Sequence, residues 1–431
     1  MASVCKDLDQ PDEAQRRAVR ALHATRSTAE GTRHEVMRRN NESVVLRTVL
    51  DRRLISRSEI ASATGLSPAT VTKIAARLIA DGLLIDEVTE AQPRSVGRPT
   101  SPLALSKSRY FAVGAHIGLT ATTIGLSQLD GTVEEVAVLV HHSSEPGAVL
   151  NEAATALAKL ASKFGRRSIV IGVGVSLGGR VDEAQGRVAD HAALGWHDIP
   201  VVQELRRKVR ADIMLTQHVR GLAEAMLWFG NARHLRNFVL LFLGNIIGAA
   251  IVVDGTIVCG LNDSAGTIAH LPISGFGDVQ CECGRRGCFA AVAGESSVVA
   301  RYVALTTKRT RSATNALRYV DLLERFRQGD QAAAVVLQDQ IRAGAAAAAT
   351  AIGLLGPEQV LIAGNAGKAP ELVGLLRDEM MHVLQDPSFD VARVVGTEYP
   401  GNDLVASAVT PVLRRLYMDP ASVAKGRSLS T

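Results

Sequence analysis

The sequence predicts a mixed α/β protein in which a small, basic, helix-rich module precedes a larger two-lobed α/β body that carries a metal-bound loop. Three observations lead there. At 431 residues the chain exceeds one ordinary core, and 47% hydrophobic with only 4% aromatic residues describes a soluble protein rich in small aliphatic side chains. Charge is uneven: residues 1–109 hold 18 Lys+Arg against 13 Asp+Glu, leaving 30 against 30 of the totals of 48 and 43 for the rest. Finally, three of the five cysteines fall between positions 281 and 288.

The basic end reads element by element. Residues 1–40 alternate charges without sustained apolar periodicity and are expected to form a mobile arm. Residues 41–108 form the first folded module. A helix over about Glu42–Arg52 supplies Val45, Val49 and Leu50 to its core. Ser56 and Glu59 have the spacing of a capping box that starts a second helix, and Gly65 stands where a left-handed residue ends it. Ser67 caps a third helix with Pro68 in its first turn, and Val71, Ile74, Ala75, Leu78 and Ile79 recur as its buried face. Thr70, Lys73 and Arg77 are left facing outward. Two helices joined by a tight turn, the second with a polar N-terminal face, describe a helix-turn-helix whose second helix enters the major groove of double-stranded DNA. Residues 83–105 then read as strand, polar loop and strand, with Gly97, Arg98 and Pro99 at the tip. This wing presents Arg98 to a minor groove, where narrow A·T tracts concentrate negative potential. The DNA-binding set is therefore Ser67, Thr70, Lys73, Arg77 and Arg98.

The body repeats itself. Phe111–Val136 reads as three strands with turns at Gly118 and Asp130-Gly131, and Phe238–Val258 repeats the pattern with Gly244, Gly248 and Asp254-Gly255. Helices are expected over Asn151–Lys163 and, alanine-rich, over Gln338–Leu355. Two similar hairpin-led halves imply two similar lobes. No apolar run is long enough to span a bilayer, MASVCKDLDQPDEAQRR has no signal-peptide core, and an odd cysteine count argues against a disulfide scaffold. A cytoplasmic protein with no membrane partner is expected.

His270, Cys281, Cys283 and Cys288 lie in HLPISGFGDVQCECGRRGC. Three thiols and an imidazole suit a closed tetrahedral zinc site, one that knots a loop and leaves no vacancy for substrate. The arrangement of a histidine, ten residues and CxCGxxGC resembles the signature of the ROK family of repressors, open reading frames and sugar kinases. GVGVSLGGRVDEAQGRV, ALGW and VLIAGN extend the resemblance, which runs from about Val44 to about Tyr417. It implies two ribonuclease-H-like lobes of the actin and hexokinase type, 109–230 and 231–400, the second carrying the zinc loop 270–288. It also implies a helix at 401–418 returning to the first lobe, ahead of a disordered tail at 419–431. Repressors of this family carry a winged helix-turn-helix ahead of the body.

The resemblance also exposes what the cleft between the lobes lacks. Where the family's first phosphate turn reads DxGGT, this chain has His116-Ile117-Gly118-Leu119-Thr120, and GTGIG has become Gly244-Asn245-Ile246-Ile247-Gly248. The catalytic NDxN falls on Gln217-His218-Val219-Arg220, which removes the carboxylate base. The five sugar-holding positions carry Gln217, His218, Thr267, His270 and Ala290, so only the histidine persists. The expected function is a DNA-binding transcriptional regulator, dimeric or tetrameric on pseudopalindromic operators, with a catalytically inactive effector and oligomerisation body. The alternatives are an ATP-dependent carbohydrate kinase with an added DNA-binding module, and a scaffold in which Arg285 and Arg286 of the zinc loop touch nucleic acid. With carboxylates replaced and Arg220 introduced, the cleft formed by His116, Gln217, His218, Arg220, Thr267 and His270 is expected to favour an acidic effector such as a sugar phosphate. The competing expectation has Arg220 turned into a structural ion pair and the cleft closed by Ile246.

Overall fold

The helices of the N-terminal module end where their capping residues place them, but the first begins earlier than apolar periodicity suggests. The computed structural model describes residues 35–87, 101–163, 168–306, 317–384, 388–399 and 401–421. The chain divides into two compact units, Met1–Ser106 with Arg415–Arg427 and Lys107–Arg414 with Ser428–Thr431.

In the smaller unit, helix α1 runs through residues 35–52, so 35–40 are helical and do not belong to an arm. Its first turns are held by charges at helical spacing, Arg38 and Arg39 against Glu35 at 3.7 and 3.5 Å and Arg38 against Glu42 at 3.9 Å, a signal that apolar counting does not register. Val45, Leu46, Val49 and Leu50 form its buried face. Helix α2, Arg57–Thr64, opens on the Ser56/Glu59 capping box and closes on Gly65 at φ 71°. Helix α3, Pro68–Ala80, is capped by Ser67 and buries Val71, Ile74, Ala75 and Leu78. Strands β1, Leu84–Asp86, and β2, Leu103–Leu105, pair antiparallel, and Ile55 adds a bridge to Leu103. They are the stem of the wing. Its tip, with Arg98, lies outside the described residues, as do the rest of the expected arm and most of the expected tail. Asp419, assigned to that tail, accepts a hydrogen bond from Arg39 at 3.4 Å and is thereby tied to α1.

The larger unit holds two five-stranded sheets of the same topology. In the first, β3 Tyr110–Ile117, β4 Ala121–Ser127 and β5 Val133–Val140 form an antiparallel meander, and β6 Ile169–Leu177 and β10 Ile213–Gln217 add in parallel, in the order β10-β6-β3-β4-β5. A three-stranded sheet of β7 Arg180–Asp182, β8 Arg187–His191 and β9 Trp196–Ile199 is inserted before β10. In the second, β11 Phe238–Leu243, β12 Ile247–Val253 and β13 Thr256–Ile257 repeat the meander, and β14 Gln359–Ala363 and β15 Val394–Gly396 complete the order β13-β12-β11-β14-β15. Counted from each meander's first strand the two orders match, as the duplicated turn pattern implies.

Helices complete each lobe. Helix α4, Pro146–Ser162, begins five residues before Asn151, its N-terminus set by Pro146, and packs on the first sheet with α5, Val201–Arg206. Helix α6, His218–Trp228, follows β10 directly. In the second lobe come α7 Phe289–Ala293, α8 Glu295–Thr306, α9 Tyr319–Arg327, the 25-residue α10 Gln331–Leu355 and α11 Pro370–Val383. Helix α10 starts before Gln338 because Asp330 caps it, accepting from the amides of Ala332 and Ala333 at 2.9 and 3.1 Å. The last helix, α12, Asp403–Met418, contributes Ala406 to a cluster shared with Val219, Leu222 and Ala223 of α6 and with Leu240, Ala250 and Leu361 of the second sheet.

Backbone packs on backbone at Gly174 of β6: a Cβ there would sit 1.8 Å from the carbonyl oxygen of Ala408 in α12. Neither strand nor helix backbone can yield cheaply. Gly174→Ala is expected to destabilise the body by about 3 kcal/mol or more, the upper end for overpacking, read as a lowered urea midpoint.

Candidate DNA-reading helix, metal centre and lobe cleft

Helix α3 exposes Ala69, Thr72, Lys73 and Ala76, the i, i+3, i+4, i+7 stripe opposite its core face. Ser67 Oγ accepts the Thr70 amide at 3.2 Å and lies 2.8 Å from its hydroxyl, so Thr70 is half-buried and engaged in the cap. Lys73 is exposed as expected. Arg77 is not free: it forms an ion pair with Glu42 of α1, whose side chain is 1% exposed. The outward assignment of Arg77 is therefore corrected to a tie between two helices, since a carboxylate buried under α3 requires a cation. Thr72 was missed; its hydroxyl back-bonds to the Pro68 carbonyl at 2.8 Å, and its place one turn from Ala69 on the exposed stripe is the signal that finds it.

In the second lobe, residues 270–288 fold as an irregular loop. Bridges Pro272–Cys288 and Gln280–Arg286 close it, the Cys281 amide donates to the Arg285 carbonyl at 2.8 Å, and the Gly287 amide donates to Val279 at 2.8 Å. Gly287 has φ 67°, and a side chain there would meet the Phe276 carbonyl. This turn brings four donors together. Cys281 Sγ lies 3.7 Å from His270 Nδ1, Cys283 Sγ lies 3.7 Å from Cys288 Sγ, and all four donor atoms fall within 4.8 Å of one another. A tetrahedral ion with thiolate bonds of about 2.3 Å places sulfurs about 3.8 Å apart, so this donor set can hold a metal ion. Hydrogen bonds from Arg285, its backbone N–H foremost, push the Cys283 thiol down to about 6, while burial pushes Cys288 up to about 11.

In the cleft, the C-terminal ends of β3, β6 and β10 bring together His116, Ser176 and, at the first position of α6, His218. The imidazoles of His116 and His218 lie 4.2 Å apart and are buried. His116 Nδ1 is 3.1 Å from Ser176 Oγ, Ser176 Oγ is 2.8 Å from Ser407 Oγ on α12, and His218 Nδ1 is 3.2 Å from Ser407 Oγ. Phe242 and His218 meet nearly perpendicular, with ring centroids 4.7 Å apart. Burial holds His116 well below the usual imidazole value, the neighbouring His218 adding to it, and lowers His218 to about 4. Both rings are neutral near pH 7.

Arg220, 4% exposed, donates to Glu183 at 3.1 Å and to the Asp263 carbonyl at 3.1 Å, with the Asp263 carboxylate 3.4 Å away. Glu183 belongs to the first lobe and Asp263 to the second, so the guanidinium spans the cleft. Gln217 caps α6, accepting the Arg220 amide at 2.9 Å. Across from it, Ile246 Cδ1 sits where a Cβ on Gly178 would come within 2.2 Å. Arg220 therefore makes the structural ion pair of the competing expectation: two carboxylates face the one guanidinium and the two histidines are neutral, so these groups supply no excess positive charge for an acidic effector. Thr267 and His270 do not join the imidazole pair in this network; Thr267 donates to the Ser264 carbonyl at 3.3 Å and His270 faces Cys281. Ala290 is half-buried, its amide on the Ala269 carbonyl at 2.8 Å. Sequence reasoning did not find Glu183, Asp263, Ser176 or Ser407, whose partners are distant in the chain.

Two outcomes follow from these contacts. Arg77→Ala leaves Glu42 buried without its close partner, and a loss of about 2 kcal/mol in the N-terminal unit is expected, below the full penalty for a buried pair because Arg77 is 39% exposed; its thermal transition measures this. Because His218 is depressed in the folded state, its stabilising effect is complete above the unfolded value near 6.5 and is lost as pH falls towards about 4. Unfolding free energies from urea titrations should decline between pH 6.5 and 4, by on the order of 3 kcal/mol for this residue, and the decline should flatten in His218→Asn.

Known proteins match this architecture. Residues 112–398 match the ROK family model and residues 42–85 a winged helix-turn-helix DNA-binding model. A transcriptional regulator of Mycobacterium tuberculosis is 30% identical over 330 residues, covering 75% of this chain and 74% of that protein. The DNA-binding transcriptional dual regulator NagC of Escherichia coli is 27% identical over 79% of this chain and 84% of its own length. The crystal structure of a ROK family transcriptional regulator described as a homologue of the E. coli MLC protein shares the fold, with a TM-score of 0.72 at 23% identity over 91% of this chain and 100% of that one. A ROK family glucokinase from Streptomyces griseus superposes with a TM-score of 0.61 at 18% identity, over 69% of this chain and 98% of that one. The chain belongs to the ROK family and joins a winged helix-turn-helix DNA-binding domain to the ROK body.

Proposed function

We propose that this chain is a cytoplasmic transcriptional regulator that binds double-stranded DNA as a homodimer or homotetramer. The observation that carries the reading is α3, a capped helix with an exposed small and polar stripe, joined to a body shared with proteins named as regulators. Lys73, Thr72 and the amides at the start of α3 beside Ser67 face the major groove and its phosphates, with Thr70 shaping the helix start. Arg98 of the wing tip reaches the minor groove. One such module makes few base contacts, so two copies on a two-fold operator supply specificity.

The body does not transfer phosphate. At the position of the family's base stands a neutral imidazole within hydrogen-bond reach of Ser407, Arg220 is held by Glu183 and Asp263, and Ile246 packs against Gly178. His270, Cys281, Cys283 and Cys288 hold a zinc ion, which supplies a structural cross-link to a loop otherwise lacking regular elements. The N-acetylglucosamine repressor of E. coli and the xylose repressor of Caldicellulosiruptor bescii are named for sugars. In this chain the ion-paired Arg220 and the packing of Ile246 against Gly178 favour a scaffold role for the body over response to a free or phosphorylated sugar.

Genome-wide mapping of bound sites followed by footprinting of one operator tests the reading; absence of sequence-specific protection overturns it. On a footprinted site, Lys73→Ala should lower the slope of log affinity against log salt by about one, measured by fluorescence anisotropy. Metal analysis should return about one zinc per chain, as a single four-ligand site requires. Cys283→Ser should lower the melting temperature of the body without altering the operator sequence recognised.

A further inference from the structure

The four donors of the second-lobe loop differ in what can reach them. Cys281 and Cys288 are 6% and 1% exposed and His270 is half-buried, whereas Cys283 is exposed. The fold of the loop sets this difference. The Gly284 amide donates to the Cys281 carbonyl at 3.0 Å and the Cys281 amide to the Arg285 carbonyl at 2.8 Å, so residues 281–285 form a tight turn with Glu282 and Cys283 at its tip. A bound zinc ion keeps all three sulfurs as thiolates, the nucleophilic form of cysteine. Access therefore decides which sulfur an oxidant meets first.

Two neighbours suit Cys283 to oxidation. The amide and guanidinium of Arg285 donate to its sulfur, which places a cation close to where the departing oxygen of a peroxide gathers negative charge. Cys288 Sγ lies 3.7 Å away on the buried side. Closing a disulfide over that gap moves the two sulfurs together by about 1.7 Å. Cys281, only two residues from Cys283, would close a smaller and more strained ring, and its sulfur faces His270. Cys259 is also exposed, but it stands outside the cluster and donates to the Ile257 carbonyl.

We propose that Cys283 is an oxidation site for hydroperoxides, with Arg285 assisting the attack and Cys288 as the resolving thiol. The Cys283 thiolate attacks the terminal peroxide oxygen, the O–O bond breaks, and the far oxygen leaves as alkoxide or hydroxide and takes a proton from solvent. Cys283 is left as a sulfenic acid. The Cys288 thiolate then attacks that sulfur: an S–S bond forms, the S–O bond breaks, and the hydroxide released takes a second proton to become water. Two thiolates have lost two electrons and the peroxide has gained them. The disulfide withdraws two of the four donors, so the metal is released and the loop loses its cross-link. Cys288 leads directly into α7, whose Phe289, Val292 and Ala293 pack in the second lobe's core, and the loss is felt there. This goes beyond the zinc reading above, on which it rests, by giving the site a chemical input.

The test uses the full zinc-loaded chain in a Cys5→Ser, Cys259→Ser background, in which the only cysteines are those of the cluster. Hydrogen peroxide and an alkyl hydroperoxide should each release the zinc, followed with a chromogenic chelator, in step with a Cys283–Cys288 disulfide mapped by mass spectrometry. Dithiothreitol with added zinc should restore the metal and the thiols. Arg285→Ala should hold the same zinc before oxidation and release it about fivefold more slowly, the effect of one unit charge a few ångström away in water. Zinc retained through an excess of peroxide, a disulfide that joins Cys281 instead, or an undiminished rate in Arg285→Ala overturns the proposal and leaves the zinc reading standing. A chain that carries no zinc before oxidation overturns both.

Discussion

The structure of the body depends on how closely α12 approaches the first lobe. Gly114 of β3, Gly174 of β6 and Gly221 of α6 each face the helix, and a Cβ on them would come within 2.5 Å of Val409 Cγ1, 1.8 Å of the Ala408 carbonyl and 2.2 Å of the Ser407 carbonyl. Three absent side chains thus let one turn of α12 lie directly on two strands and a helix. The same approach carries Ser407 Oγ to within hydrogen-bonding distance of both Ser176 and His218. A packing constraint thereby sets the polar chemistry at the base of the cleft: with the helix held an ångström further out, the buried His218 imidazole would lose its hydroxyl partner and Ser176 would lose Ser407, and such unmet groups cost about 1–3 kcal/mol each.

That arrangement also joins the lobes. Ala406, next to Ser407, packs with α6 and the second sheet, so α12 contributes to the shared core on one side and to the imidazole network on the other. Arg220 adds a charged tie nearby, with one carboxylate from each lobe. Because its guanidinium is 4% exposed, those carboxylates satisfy a need that burial creates, and removing either would leave the cation poorly compensated.

Much of this was legible in the chain, and the reason is sequence distance. Capping at Ser56, Glu59, Gly65 and Ser67 acts over three or four residues, so the helix-turn-helix could be read directly. The four residues that could hold a metal ion fall within one loop. The duplicated sheets were visible because turn glycines and strand alternation repeat locally. What stayed hidden was decided at long range: Arg220 meets Glu183 and Asp263, 37 and 43 positions away, and Ser176 meets Ser407 across 231. Substitutions at His116, His218 and Arg220 signalled an altered cleft, but without those partners the chain alone could not decide between a cationic cleft and an ion-paired Arg220. The start of α1 was missed for a different reason, since ion pairs rather than apolar spacing support it.

The imidazole at position 218 locks the residues around it. An aspartate restored there alone would meet the rings of Phe242 and His116 in a space that water does not reach, with the magnesium-binding and phosphate turns still altered. Reverting Ile246 alone would open a hole against Gly178, and reverting Arg220 alone would strand Glu183 and Asp263 facing each other. Each such single change costs stability. A chain with this cleft is therefore held to it by packing, since no one of these three positions can change alone without a cost in stability.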